Sequence, residues 1–198
     1  MTEYEEKWKS QGYKLICGVD EAGRGPLAGP VCAAAVILRD DDFIEGVNDS
    51  KKLSEKKREM LFDEIKNRAL CYSIAFVEAD EIDRINILNA TMLAMKKAIE
   101  GLSEKAEIAL IDGNKAPNVP IKTECIIKGD QKSASVAAAS ILAKVSRDRL
   151  LLELHEKHPE YSFDKHKGYG TKAHYEAIEK YGILPEHRKS FLKNILNG

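Results

Sequence analysis

The chain has 198 residues, a formal net charge of −1 at neutral pH, and 43% hydrophobic and 32% charged residues. This length and composition are typical of one globular domain, and they exclude a protein that binds nucleic acid through a strong overall positive charge. No apolar run approaches the ~18 residues of a membrane span. The polar N-terminal segment lacks the apolar core of a signal peptide, so we expect a cytoplasmic protein.

The first stretch with a clear pattern is a predicted strand, Leu15–Val19, that ends at two adjacent acids, Asp20 and Glu21. The sequence Gly23-Arg24-Gly25 follows at once, and its glycines allow backbone amides to approach a ligand beside the acids. A second apolar run, Val31–Leu38, predicts another strand. Because the connection is short and contains two prolines, we expect the two strands to form an antiparallel hairpin with a wide turn.

The same stretch also fits the dinucleotide-binding fingerprint at Gly23, Gly25 and Ala28, with Asp40–Asp42 near the spacing of its ribose-binding acid. That fingerprint requires a crossover helix between parallel strands, and a connection of at least ~10 residues. The connection here is too short, and acids beside the loop would repel a pyrophosphate. The sequence therefore disfavours a dinucleotide site.

Beyond the hairpin, the sequence predicts helices and strands in alternation. Ser54 is a good N-cap for a helix with an apolar stripe at Leu61, Ile65 and Ala69. A strand, a helix, two short strands and a long helix rich in small residues follow at Cys71–Val77, Ile87–Glu100, Ile108–Ile111, Cys125–Ile127 and Ser133–His155. The buried stripe of the second helix is expected at Leu88, Met92, Met95 and Ile99.

The C-terminal part predicts a loop at Tyr161–Gly170, a helix from the N-cap Thr171 to Tyr181, and a last amphipathic helix at Glu186–Leu196. We expect a single domain over 1–198, with a core of about 1–158 and a helical extension of about 159–198. Four scattered cysteines are interpreted as buried apolar residues and four basic clusters as solvated faces. The cysteines are Cys17, Cys32, Cys71 and Cys125. The basic clusters are Lys51-Lys52, Lys56-Lys57-Arg58, Lys165-His166-Lys167 and His187-Arg188-Lys189.

Acidic residues follow three predicted strands, at Asp20-Glu21, Asp112 and Asp130. If those strands lie side by side in parallel, their terminal acids converge at one edge of the sheet. Converging carboxylates repel one another unless they share a cation, and oxygen-only donors favour Mg²⁺ or Mn²⁺. Because successive strand residues point to opposite faces, the adjacent acids are expected to reach one site only if the strand has ended by Glu21.

Such a group of acids suits the hydrolysis of a phosphodiester with two metal ions. A pair of acids of the glycosidase type is the alternative carboxylate chemistry. It has little support, since the single tryptophan, Trp8, lies in the N-terminal segment and no sugar-stacking platform is evident.

Between Val19 and Phe191 the chain resembles the bacterial ribonuclease HII family, the type 2 ribonucleases H. The matching motifs are GVDEAGRGPLAGPV, NDSKKLSEKKR, NILNATMLAM, LIDGNK, KGDQKS with AAASILAKVSRD, and HKGYGT followed by HRKSF. The resemblance implies an α/β RNase H-like fold, with a five-stranded mixed sheet flanked by helices and a C-terminal helical extension. It implies that two Mg²⁺ or Mn²⁺ ions are held by the catalytic acids Asp20, Glu21, Asp112 and Asp130.

The resemblance further implies an endonuclease that cuts RNA in RNA–DNA hybrids and cuts on the 5′ side of a single ribonucleotide in duplex DNA. The products would carry 3′-hydroxyl and 5′-phosphate ends, and the role would be removal of misincorporated ribonucleotides and RNA primers. Gly23, Arg24 and Gly25 would approach the 2′-hydroxyl that distinguishes RNA from DNA. By the same resemblance, Tyr169 would pack on the sugar of the following deoxynucleotide, and Lys51 would bind a phosphate.

Two alternatives remain open from the sequence: another nuclease of the RNase H fold, and a nucleotide-binding protein without catalytic activity. Lys144, Arg147 and Asp148 lie on the long helix and are assigned no firm role. We expect a monomer with no membrane partner. The tail SFLKNILNG offers no convincing clamp-binding peptide, which leaves a sliding-clamp contact undetermined.

Overall fold

A five-stranded mixed sheet forms the centre of the molecule in a computed structural model. The structure describes residues 1–40, 42, 44–47 and 53–196, with the side chains of residues 195 and 196 left out. The strands are β1 Ile16–Ala22, β2 Val31–Ile37, β3 Cys71–Val77, β4 Ile108–Asp112 and β5 Lys122–Ile126. Their order is β3-β2-β1-β4-β5. The first three are antiparallel, and β1, β4 and β5 are parallel, which confirms the expected fold class.

Helices cover both faces of the sheet. They are α1 Glu3–Lys9, α2 Glu55–Arg68, α3 Ala79–Ile85, α4 Ile87–Glu100, α5 Ala134–Lys157, α6 Phe163–His166, α7 Lys172–Tyr181 and α8 Lys193–Leu196. The predicted N-caps Ser54, Ser133 and Thr171 each accept a backbone hydrogen bond from the first turn of their helix. Among the described helices, none combines the length and apolarity needed to cross a bilayer.

The hairpin of β1 and β2 is antiparallel, as the short connection predicted, and this geometry excludes the crossover of a dinucleotide-binding unit. Helix α4 packs on one face of the hairpin, while α2 and α5 pack on the other. Met95 and Ile99 of α4 are buried as expected, but Leu88 and Met92 are only half-buried. They border a cavity described below, so the helix does not bury its whole predicted stripe.

Helix α5 lies unusually close to the central strand β1. A Cβ atom at Gly18 would overlap the backbone carbon of Ser135 and the backbone nitrogen of Val136. The first half of α5 carries a run of buried alanines, and small side chains permit this approach. The close packing brings the turn that precedes α5, which carries Asp130, next to the end of β1.

Edge position explains one wrong prediction. Strand β5 begins at Lys122 rather than Cys125, and Cys125 is exposed rather than buried. Because β5 is the last strand of the sheet, its polar residues Lys122, Thr123 and Glu124 are tolerated there. Cys17, Cys32 and Cys71 are buried as expected.

The C-terminal part departs from the predicted elements. A 3₁₀ turn at Pro159–Tyr161 leads into the expected loop Tyr161–Gly170, and that loop contains the short helix α6. The expected last helix is a 3₁₀ turn at Lys189–Phe191 followed by α8. The chain before this turn runs instead as an extended segment, in which Arg188 N donates to Leu27 O at 2.8 Å and Gly29 N donates to Glu186 O at 2.9 Å.

Candidate active site

The predicted acids lie together at one end of the sheet. Asp20 and Glu21 are near the end of β1, and Asp112 is the last residue of β4. Val19 pairs with Ile111 in the parallel ladder, so Asp20 and Asp112 follow at the same level. Asp130 lies in the 3₁₀ turn Gly129–Gln131 between β5 and α5. The structure therefore brings the four acids to the end of the sheet where β1 and β4 have their carboxyl ends, as the prediction of parallel strands required.

The expectation that β1 ends by Glu21 is wrong. The strand continues to Ala22, and Glu21 still pairs with Ala33 of β2. Neighbouring β4 stops at Asp112, which leaves the edge of β1 open on that side. Both acids nevertheless line the same cavity, and the carboxylate of Glu21 raises the pKa of Asp20. Alternation along the strand therefore does not separate them from a common site.

These residues line two adjoining cavities. The first, here called the acidic cavity, has a volume of about 410 Å³, and its lining includes Asp20, Glu21, Arg24, Asp130, Lys144 and Tyr169. The second has a volume of about 400 Å³ and is lined in part by Asp112, Leu88 and Met92. Glu21 and Arg24 border both cavities. The four acids thus face one continuous region at the surface.

Burial and mutual repulsion govern the charge of this group. Asp20 is only 7% exposed. Burial raises its pKa, and the neighbouring carboxylates of Glu21, Asp112 and Asp130 raise that pKa further. Burial also raises the pKa of Glu21, and Arg24, whose Nη1 lies 3.6 Å from Glu21 Oε1, opposes this shift. The acids are therefore held together at a cost in free energy.

That cost predicts a gain in stability for Asp20→Asn. A carboxyl group whose pKa is raised on folding destabilises the native state when the pH is above its pKa in the unfolded chain, which is about 4. The loss of stability grows with pH and is complete above the pKa in the folded protein. At pH 7 in EDTA we expect the variant to unfold at a temperature higher by about 2–4 °C, as for a gain of about 1 kcal/mol. Thermal unfolding between pH 4 and 8 measures this difference, which should shrink toward pH 4.

A suitable control is Asp148→Asn. Asp148 is also buried, but its Oδ1 accepts a hydrogen bond from Lys144 Nζ at 2.7 Å. Removing that paired charge should lower the unfolding temperature at pH 7. An Asp20→Asn variant as unstable as Asp148→Asn would contradict the repulsion described here.

The four acids have the donor chemistry of a metal site, although their side chains do not form one as they stand. Among the described residues, no three Asp, Glu, His or Cys side chains form a ready-made metal site. The four acids nevertheless offer oxygen donors only, which suit a hard divalent cation such as Mg²⁺ or Mn²⁺. Their repulsion is the kind of interaction that a shared cation would reverse. The chemistry of this donor set therefore fits a divalent ion.

The glycine loop and Tyr169 lie beside these acids. A Cβ atom at Gly25 would be 3.5 Å from Cε1 of Tyr169, so the tyrosine ring covers the backbone of the loop. Tyr169 is 46% exposed at the rim of the acidic cavity. The structure therefore brings Gly23, Arg24, Gly25 and Tyr169 to the same cavity as Asp20, whereas Lys51 lies outside the described residues.

Two buried arginines that the sequence analysis did not recognise organise the glycine loop. Arg188, 0% exposed, donates to three carbonyl oxygens at 2.6–2.9 Å, those of Gly23, Arg24 and Gly29. Arg147, 1% exposed, donates at 2.9–3.0 Å to those of Ala28, Pro30 and Lys167. Burial lowers the pKa of both guanidinium groups, that of Arg188 to about 9. Backbone carbonyls thus solvate both charges inside the protein.

The interpretation of the basic clusters as solvated faces is wrong for His166, His187 and Arg188, which are buried. Nothing local in the sequence marks Arg188 as buried. For Arg147 a signal existed, because it lies four residues from Ala143 and from Leu151, both on the buried face of α5.

Comparisons with known proteins agree with this architecture. The family model described as ribonuclease HII matches residues 17–194. A curated ribonuclease HII from Caldicellulosiruptor bescii is 60% identical over 195 residues, which cover 98% of this chain and 95% of that protein. Ribonuclease H2 from Pyrococcus horikoshii OT3 superposes with a TM-score of 0.76 at 28% identity, over 89% of this chain and 93% of that one. The ribonuclease HII in a PCNA:RNase HII complex from Archaeoglobus fulgidus gives a TM-score of 0.75 at 30% identity, over 88% and 94%.

Proposed function

Because the chain belongs to the ribonuclease HII family, we propose that it is a metal-dependent endonuclease that cuts on the 5′ side of a single ribonucleotide in duplex DNA. As a member of this family it is a ribonuclease H, an enzyme that hydrolyses RNA paired with DNA. The finer specificity rests on one observation. Four acids, the Gly23–Gly25 loop and the exposed ring of Tyr169 meet at adjoining cavities.

The residues that would hold two Mg²⁺ or Mn²⁺ ions are Asp20, Glu21, Asp112 and Asp130. When bound, such ions lower the pKa of an attacking water and stabilise the charge of the leaving oxygen. The backbone N–H of Gly129 donates to Asp112 Oδ1 at 2.6 Å and fixes the orientation of that carboxylate. Because Asp20 is buried, bulk water would compete less with its carboxylate for a bound metal ion. Hydrolysis would leave a 3′-hydroxyl and a 5′-phosphate.

The glycine loop would identify the ribose. A 2′-hydroxyl both donates and accepts a hydrogen bond, and backbone groups within reach can distinguish it from the hydrogen of a deoxyribose. Close approach of a sugar requires a loop without bulky side chains, which Gly23 and Gly25 provide. Arg147 and Arg188 hold the carbonyls on either side, so the loop is rigid before the substrate binds.

The test of this function is a DNA duplex that contains one ribonucleotide. With Mg²⁺ or Mn²⁺ we expect a single cut on the 5′ side of that ribonucleotide, and with EDTA no cut. Mapping the product ends by electrophoresis beside an all-DNA duplex and a hybrid with a long RNA strand gives the specificity. Cleavage of the long hybrid alone would contradict the proposal and would favour a ribonuclease H that requires a run of ribonucleotides.

Tyr169→Ala should reduce cleavage of the single-ribonucleotide duplex about tenfold more than cleavage of the long hybrid. Loss of one aromatic contact with a sugar or base is worth about 1–3 kcal/mol, and 1.36 kcal/mol corresponds to a factor of ten in rate. The ratio of kcat/KM values on the two substrates measures the effect. Tyr181→Ala is a matched control, since Tyr181 is 49% exposed but lies at the end of α7, away from the acidic cavity. Equal losses of Tyr169→Ala on both substrates would contradict a role in sensing the junction.

We also propose that the whole chain acts as one catalytic domain and as a monomer. The segment after His158 supplies Tyr169 to the cavity that residues of β1 and α5 line, and its Arg188 binds the carbonyl of Gly23 beside that cavity, which supports one unit rather than two. Removal of misincorporated ribonucleotides and of RNA primers, in the cytoplasm, is the role that follows from this specificity.

A further inference from the structure

Three of the five histidines of the chain form a buried cluster directly behind Tyr169. They are His166, His174 and His187. The rings of His166 and His174 stack with their centroids 4.4 Å apart, and Phe163 packs edge-on against both. Neither the family assignment nor the proposed chemistry uses this cluster, although it touches the backbone of the loop that carries Tyr169.

Hydrogen bonds determine which nitrogen of each ring carries the proton. Leu184 N donates to His187 Nδ1 at 2.8 Å, so in the neutral ring the proton of His187 is on Nε2. His187 Nε2 lies 3.0 Å from His174 Nε2 and therefore donates to it. His174 then carries its proton on Nδ1, which lies 2.9 Å from the carbonyl oxygen of Tyr169. The bonds run in one direction, from Leu184 to Tyr169.

Both rings are neutral at physiological pH. Burial lowers the pKa of His174 and of His187 to about 4. A proton on both Nε2 atoms would place two donors against each other, which the short distance between them forbids. The direction of the hydrogen bonds is therefore unique.

The hydrogen bond from His174 is not needed to satisfy the carbonyl of Tyr169. That oxygen already accepts from Thr171 N at 2.8 Å. A second donor fixes the direction of the carbonyl, and with it the peptide plane next to Tyr169. The amide of Tyr169 is tied as well, since it donates to His166 O at 2.9 Å. The ring of Tyr169 is 46% exposed, so its position depends strongly on the direction that the backbone gives to the side chain.

We propose that His174 and His187 are positioning residues, which form a hydrogen-bond relay that orients Tyr169 and so set the preference for single ribonucleotides over long hybrids. The inference rests on the proposed function of Tyr169 as the residue that senses the junction. His187 selects the tautomer of His174, and His174 holds the carbonyl. Neither histidine touches the substrate.

Two substitutions at His174 distinguish positioning from packing. The amide nitrogen of an asparagine side chain can take the place of Nδ1, whereas that of glutamine reaches the place of Nε2. We expect His174→Gln to lower the preference for the single-ribonucleotide duplex about 5- to 10-fold, as for the loss of one hydrogen bond. His174→Asn should keep that preference within about twofold to threefold even though the smaller side chain leaves a gap. His187→Leu should behave like His174→Gln.

Tyr161→Phe is the control for damage to the cluster. Tyr161 Oη donates to Gly182 O at 2.7 Å, and its ring lies 5.5 Å from that of His187, but Tyr161 does not touch Tyr169. This variant loses a hydrogen bond of the same cluster and should keep the wild-type preference. Equal preferences in His174→Gln and His174→Asn, or a change in Tyr161→Phe as large as in His174→Gln, would overturn the relay.

A double variant and a direct measurement complete the test. In the Tyr169→Ala background, His174→Gln should cause no further loss of preference, and a full additional loss would show that the histidine acts elsewhere. Imidazole ¹⁵N spectra of the wild type should show protonated Nδ1 in His174 and protonated Nε2 in His187, and the opposite tautomers would refute the relay. If the wild type leaves the single-ribonucleotide duplex uncut, the proposed function fails, and these spectra still decide the relay.

Discussion

Asp112→Asn is expected to abolish cleavage while the protein remains folded. The side-chain oxygen of asparagine can still accept the hydrogen bond that Gly129 N donates to Asp112 Oδ1, so the turn after β5 is kept. The substitution removes one negative charge from the four proposed to hold the metal ions. Several kcal/mol of transition-state stabilisation should be lost, which corresponds to roughly 10³-fold or more in kcat/KM.

Steady-state cleavage of the single-ribonucleotide duplex with Mg²⁺ and a circular dichroism spectrum together measure this result. Asp80→Asn is the matched control, because Asp80 Oδ1 also accepts a hydrogen bond from a backbone N–H, that of Glu81 at 2.8 Å, but Asp80 is exposed on α3. That variant should cleave at the wild-type rate. Near-normal turnover by Asp112→Asn would contradict the proposed catalytic role of the four acids.

Gly18→Ala should cost at least about 3 kcal/mol of folding free energy, at the upper end of what overpacking a core costs. The added methyl group would overlap backbone atoms of Ser135 and Val136, and backbone cannot rotate away as a side chain can. Helix α5 would have to move off β1. For a chain of this length the unfolding temperature should fall by roughly 10 °C.

Thermal and urea unfolding measure the loss of folding free energy. Gly12→Ala separates the collision with neighbouring atoms from the backbone strain of replacing a glycine. Gly12 has a φ of +92° with open space around it, so alanine there brings backbone strain of about 1 kcal/mol and no collision. A loss at Gly18 no larger than the loss at Gly12 would contradict the close packing. The folded fraction of Gly18→Ala should also have low activity, since moving α5 moves Asp130 relative to Asp20.

Local patterns in the sequence predicted most of the sheet. Helix caps such as Ser54, Ser133 and Thr171 act within one turn, and an acid at the end of an apolar run is visible without any partner. For that reason the positions of Asp20, Glu21 and Asp112 at the sheet edge could be anticipated. The length of β1 could not, because its continuation to Ala22 depends on pairing with β2.

Features that depend on distant partners were predicted wrongly. Cys125 is exposed because its strand lies at the edge of the sheet, and nothing in its neighbours reveals that position. Arg188 is buried because its backbone pairs with the turn between β1 and β2 and its side chain bonds to carbonyls there. A cationic residue within a basic cluster normally indicates a solvated face, and only the fold reverses that interpretation.

The pairing of Arg188 with the turn between β1 and β2 also has a consequence for the order of synthesis. Arg188 and Gly29, whose carbonyl it binds, are separated by 159 positions. A nascent chain on the ribosome therefore exposes its acids long before the arginine that rigidifies the neighbouring loop has been translated. An unfinished copy that lacks Arg188 cannot hold the Gly23–Gly25 loop in place through these bonds, so the loop reaches its final conformation only after residue 188 has been translated.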